Sequence, residues 1–116
     1  MNRRKSPESD LQKGCVRWLA LQHPNVLFTA ITTENKRSSI TGAIHKAMGQ
    51  KAGVPDLFIA EPRGIYHGLF IEFKSKTGRV RKEQQAMLDA LTERKYSCHV
   101  VRTFEHFMEI VTKYLN

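Results

Sequence analysis

The run Gly68-Leu69-Phe70-Ile71-Glu72-Phe73-Lys74 constrains this chain more than any other segment. Side chains alternate across a strand, so Leu69, Ile71 and Phe73 point one way and Phe70, Glu72 and Lys74 the other. Both faces begin apolar. A strand of that kind is central in its sheet and covered on both sides, which calls for helices above and below it. Its far end changes character. A carboxylate and an ammonium leave the same face two residues apart, about 7 Å along the strand. Burying either charge alone is costly, so this end of the strand needs partners.

The rest of the chain supplies the covering layers. Ser6-Pro7 is a helix start, with Ser as N-cap and Pro at the first helical position. The helix should stop near Gln22, because the residue before Pro24 is pushed out of the helical region. Its inward stripe is Leu11, Cys15, Trp18 and Leu19, and Glu8 and Gln12 extend that stripe backwards. Val26–Ile31 reads as a strand, 32–39 as a polar loop, and Ile40, Ala43, Ile44 and Ala47 as one face of a short helix. Asp56–Ala60 and Gly68–Lys74 should form an antiparallel hairpin across the turn signal Pro62-Arg63-Gly64. A helix from Lys82 to Arg94, a strand from Ser97 to Arg102 and a final helix capped by Thr103 complete the order. That order, α-β-α-β-β-α-β-α, predicts an α/β fold: a mixed sheet flanked by helices. Residues 6–116 are expected to form one domain, preceded by a flexible basic arm over 1–5.

The partners of Glu72 and Lys74 come from the hairpin. Asp56 opens its first strand and can lie beside Glu72 on the second. Adjacent carboxylates repel unless a cation sits between them. A hard divalent ion with oxygen ligands fits, and it readily shares its sphere with phosphate and water. The bland alternative is an exposed cross-strand ion pair, with Asp56 a simple turn residue. The apolar character of the strand weighs against it. On the helix after the strand, Gln84 shares the stripe of Met87, Leu88 and Leu91, so its amide points inward, while Gln85 falls on the wet face with Asp89 and Thr92. Glu8 likewise faces inward and Asp10 does not.

Charge gives the context. Nineteen Lys and Arg against eleven Asp and Glu leave a formal net charge of +8. A small basic domain attracts polyanions, above all nucleic acid. The cations cluster: Lys36, Arg37, Lys46 and Lys51 precede Asp56, and Lys76, Arg79, Arg81 and Lys82 follow Lys74. Both groups should flank the site and hold phosphates without reading bases. No apolar run approaches the length of a membrane span, and two cysteines make neither a disulfide framework nor a zinc cluster. A cytoplasmic protein with reduced thiols is the expectation. The five histidines show no paired ligand spacing, and Cys15 lies on a core stripe.

Pro55-Asp56 followed by Glu72-Phe73-Lys74 resembles the signature of the PD-(D/E)xK nuclease superfamily. Gly53-Val54-Pro55-Asp56-Leu57, then Gly68 through Lys74, then Gly78 and Gln84, are similar to the virus-type replication-repair nuclease (VRR-NUC) domain. The opening helix from Glu8 to Trp18-Leu19, Asn35-Lys36-Arg37 and the run Lys46 to Lys51 resemble its stand-alone phage and bacterial members. The resemblance implies a restriction-endonuclease-like fold and Mg²⁺-dependent hydrolysis of phosphodiesters, with Mn²⁺ substituting. By resemblance, Asp56, Glu72 and the backbone carbonyl of Phe73 would be metal ligands, with Glu8 reaching the metal directly or through water. Lys74 would hold or activate the attacking water, and Gln84 would orient the water or a ligand. Stand-alone members resemble Holliday-junction resolvases, acting as homodimers on branched DNA. A flap or nicking nuclease or an RNase of the same fold is an alternative, as is a non-catalytic DNA-binding module. For the homodimer surface, Phe28, Ile40, Ile65 and Tyr66 are available apolar residues.

Overall fold

The computed structural model describes residues 6–31 and 39–116. Its elements run in the expected order: α1 (Pro7–Gln22), β1 (Phe28–Ala30), α2 (Ser39–Ala47), β2 (Leu57–Ile59), β3 (Leu69–Phe73), α3 (Lys82–Glu93), β4 (Ser97–Val101) and α4 (Phe104–Leu115). Ser6 caps α1 by accepting the Ser9 N–H on its hydroxyl at 3.3 Å, which satisfies one of the orphan amides of the first turn. The His23 N–H closes the other end on the Leu19 carbonyl at 2.9 Å. Thr103 caps α4 in the same way through the His106 N–H, at 3.1 Å.

The sheet order is β1-β2-β3-β4. The β1–β2 and β2–β3 pairs are antiparallel, and β3–β4 is parallel, with α3 as the crossover. The sheet is therefore mixed, as the element order predicted. In the hairpin register Leu57 faces Ile71 and Ile59 faces Leu69. β1 is shorter than its β-rich sequence suggests, although Leu27 O and Ile31 N still bond to Ala60 N and Asp56 O.

One face of β3 carries the main core. Leu69, Ile71 and Phe73 pack with Leu57, Ile59 and Val101 against Cys15 and Leu19 of α1 and Phe107 and Val111 of α4. Trp18 meets Phe104 and Phe107 edge-on, with centroids 6.3 and 6.0 Å apart. Burial pushes the Cys15 thiol up to about 12, with the Glu105 charge adding to it, so this cysteine is inert packing. Phe28 also packs against this core and is withdrawn from the list of surface apolar residues, whereas Ile65 and Tyr66 remain exposed. The Ile40 side chain, the basic arm over 1–5 and most of the loop expected over 32–39 lie outside the described residues.

The opposite face of β3 opens with aromatics. Phe58 stacks on Phe70 at 4.5 Å, and the Tyr96 ring meets both edge-on. Leu88 of α3 is buried as well. The same face then turns ionic at Glu72 and Lys74, and all five residues of β3 are buried.

Candidate active site

Glu72 is 3% exposed and Lys74 7%. These values exclude the exposed ion-pair reading. The two come from one strand face, and Lys74 Nζ lies 3.7 Å from Glu72 Oε2. The Lys74 N–H bonds to Val101 O at 3.0 Å, so the strand pairing continues through the lysine backbone.

Asp56 reaches this point through the hairpin register. Leu57 pairs with Ile71, so the residue before Leu57 comes alongside Glu72. The Asp56 side chain is fixed by the Phe73 N–H, which donates to Oδ2 at 2.8 Å. Burial raises the Asp56 carboxyl above the usual range; the Phe73 bond and Lys74 pull it back, and Glu8 pushes it further up. Glu72 is pushed up to about 7 by burial first and by the Asp56 charge second, against the pull of Lys74. Two carboxylates share a dry place and neither ionises cheaply.

Gln84 completes the buried set. Its amide is oriented from both ends: Oε1 accepts the Arg81 N–H at 2.9 Å, and Nε2 donates to Glu72 Oε2 at 3.0 Å. The first bond caps α3 and the second directs the glutamate. Gln85 instead bonds Asp89 on the exposed side at 2.9 Å, as the helical stripe predicted. α3 is seated by Gly53, whose φ is +83°. A Cβ there would collide with the Glu83 carbonyl and lie 2.9 Å from Gln84 N. The loop before Asp56 and the helix carrying Gln84 therefore touch through bare backbone.

Glu8 arrives from the other layer. Its Oε2 accepts the Ser75 N–H at 3.4 Å, immediately after Lys74, while Asp10 is exposed. Glu8 lies close enough to raise both Asp56 and Glu72 electrostatically. Among the described residues no three His, Cys, Asp or Glu side chains are grouped tightly enough to hold a metal ion between them. The donor set is open: the buried Glu72 and half-buried Asp56 carboxylates, with Glu8 at one remove. That fits a hard divalent cation such as Mg²⁺, which is usually bound through one or two carboxylates and completes its shell with water and phosphate.

Of the expected phosphate-binding cations, Lys46, Lys51, Lys76, Arg79, Arg81 and Lys82 are exposed. Arg81 also pairs with Glu83 at 3.4 Å on the surface. Lys36 and Arg37 lie outside the described residues. Arg102 bonds the turn after Lys74, and its only signal in the sequence is an arginine directly after a strand. A cavity of about 590 Å³ lies against β4 and α4, lined by His99, His106, Tyr66 and Tyr114 among others and by none of the candidate catalytic residues.

A mixed sheet with helices on both faces, carrying this carboxylate–lysine arrangement at one strand end, defines the class of PD-(D/E)xK nuclease folds. The VRR-NUC domain model matches residues 3–105, and the chain belongs to that family. It is thus a nuclease-type domain. A solved structure described as a VRR-NUC domain protein is similar to it with a TM-score of 0.81 and 24% identity, covering 97% of this chain and 91% of the other. A second, described as a VRR-NUC domain, has a TM-score of 0.61 and 23% identity, covering 95% of this chain and 99% of the other. These two likenesses bear on the fold. No curated protein matches the sequence. No helix among the described residues is long and apolar enough to cross a membrane.

Proposed function

We propose that the chain is a metal-dependent, structure-selective DNA endonuclease of the Holliday-junction-resolvase kind. One observation carries the reading. Half-buried Asp56 lies beside buried Glu72, with Glu72 pushed up to about 7, and a cation between them would relieve both the desolvation and the repulsion.

In this reading Asp56, Glu72 and the Phe73 carbonyl hold Mg²⁺ or Mn²⁺, and Glu8 acts on it directly or through water. When bound, the ion polarises a phosphate oxygen and stabilises the charge that develops at phosphorus. The chain's own residues do the rest. Lys74 Nζ, fixed beside Glu72, holds the attacking water in line and offers positive charge to the phosphate. Gln84 keeps the Glu72 carboxylate turned toward the site. The Phe73 N–H does the same for Asp56. No covalent intermediate is needed, so the serines and cysteines have no role in the chemistry.

The exposed cations at 46, 51, 76, 79, 81 and 82 would lie along the phosphate backbone. With six such contacts, log K should fall by about five per decade of salt. A four-way junction is two-fold symmetric, and one site per chain supplies paired incisions only from a symmetric homodimer.

The test is a substrate panel: labelled four-way junction, flap, nicked duplex, linear duplex, single strand and RNA, each with and without Mg²⁺. Sedimentation is run alone and on the junction. Symmetric, Mg²⁺-dependent incision of the junction by a dimer is expected. A monomer that cuts flaps or nicks would replace the resolvase reading. Tight binding of DNA with no incision in Mg²⁺ or Mn²⁺ would overturn the enzymatic one.

A further inference from the structure

We propose that Arg102 is a positioning residue for this site, acting through the turn that holds Glu8. The inference rests on the nuclease reading above for its catalytic consequence, and on the geometry alone for the structural one.

Arg102 follows the last residue of β4 and is half-buried. Its Nη1 donates to two backbone carbonyls, Ser75 O and Gly78 O, each at 2.7 Å. These are charge-assisted bonds of short length, stronger than neutral ones. Both acceptors belong to the turn that begins at the residue after Lys74. The turn is also closed by the Gly78 N–H on Ser75 O, at 3.3 Å. One guanidinium nitrogen therefore fastens both ends of the turn to β4.

What the turn holds is Glu8. The Ser75 N–H donates to Glu8 Oε2 at 3.4 Å. Gly78 crosses so close that a Cβ there would lie 3.1 Å from the same oxygen and 3.0 Å from Ser75 Oγ. The Glu8 carboxylate thus sits in a slot of bare backbone, a Ser75 amide on one side and Gly78 on the other. Glu8 belongs to the helix on the far side of the sheet from α3, and this slot ties it to the site through the Ser75 N–H. Without Arg102 the two carbonyls would lose their shared donor and the turn its anchor. Lys74 would keep its own backbone bond to Val101, so the loss falls on Glu8.

A residue acting in this way has a signature that separates it from a DNA-contacting arginine. Arg102→Met, which keeps the apolar stem, should lower kcat about 10- to 100-fold on the preferred DNA. KM should change less than about threefold, and the salt slope of DNA binding should be unchanged. In a Glu8→Gln background the same substitution should cost less than about threefold more, because both changes remove one function. Hydrogen exchange at the Ser75 amide, followed without DNA or metal, should speed up about tenfold or more. If Arg102→Met does not fold, Arg102→Lys carries the test, with a shorter side chain and a threefold to tenfold loss expected. A wild-type kcat in the variant, a loss confined to KM with a shallower salt slope, or full additivity with Glu8→Gln would overturn the proposal. Unchanged exchange at Ser75 would overturn it too. A wild-type protein that cuts nothing would refute the nuclease reading, and the exchange measurement would still decide the role of Arg102.

Discussion

The two faces of β3 are equally buried and opposite in what burial does. Leu69, Ile71 and Phe73 meet α1 and α4 and gain free energy from every apolar contact. Phe70 begins the other face in the same way, against Phe58 and Tyr96. Two residues later that face holds Glu72 and Lys74, where burial costs free energy and is offset only in part by Gln84 and the ion pair. A fold needs the apolar contacts and gains nothing from burying the Glu72–Lys74 end of the second face. The difference teaches where the chain has given up stability, and such places are where chemistry is concentrated.

The sharpest way to break that contrast is to neutralise the costly face. Glu72→Gln should lower Mg²⁺-dependent cleavage by about 10³-fold, while DNA binding persists or tightens because one negative charge has left the phosphate site. Without metal at pH 8 the same variant should be more stable than the wild type. Lys74→Met should cost about 10²- to 10³-fold in turnover. On the other face, Phe107→Ala should destabilise by about 3–5 kcal/mol, with no specific effect on turnover of the folded fraction. Chemical denaturation and single-turnover cleavage, measured on the same preparations, separate the two.

The pH dependence should follow the costly face. The Glu72 carboxyl stands at about 7 in the folded chain against an ordinary 4.5. Below 4.5 it is protonated in both states. Between about 4.5 and 7 the unfolded chain gives up the proton and the native chain keeps it, so metal-free stability should fall as pH rises through that window. The fall is at most about 3 kcal/mol. Denaturant melts from pH 4 to 8 in chelator check this, and Glu72→Gln should flatten the profile. The smallest contrast concerns neighbours: Gln84→Ala should slow cleavage about tenfold, and Gln85→Ala should leave it unchanged.

Much of this was legible in the sequence, for local reasons. Ser6-Pro7, His23-Pro24 and Thr103 fixed helix ends because capping and proline sterics act within four residues. The alternation in 68–74 gave both faces of β3, and helical spacing separated Gln84 from Gln85 and Glu8 from Asp10. The parallel placement of β4 beside β3 was not legible, since either edge of the hairpin satisfies the pattern. Nor was the arrival of Phe28 on the core, because a short edge strand shows one face to solvent and one inward with little change in composition. Arg102 was hidden among nineteen cations, eight of which read as phosphate contacts; only the fold brings it to the turn after Lys74. Gly53 was readable as part of a motif, but its reason, the Glu83 backbone against it, lies thirty residues away.

In the proposed function the Asp56–Glu72 pair is kept for a divalent cation. Thermal melts at pH 8 with rising Mg²⁺ or Mn²⁺ test it without any DNA. A cation bound only by the native state stabilises it by RT ln(1 + [L]/Kd). The wild type should begin low and gain several degrees as metal is added, while Glu72→Gln begins higher and gains little. Equal gains in both proteins, or none in the wild type up to tens of millimolar metal, would rule out a cation held by this pair.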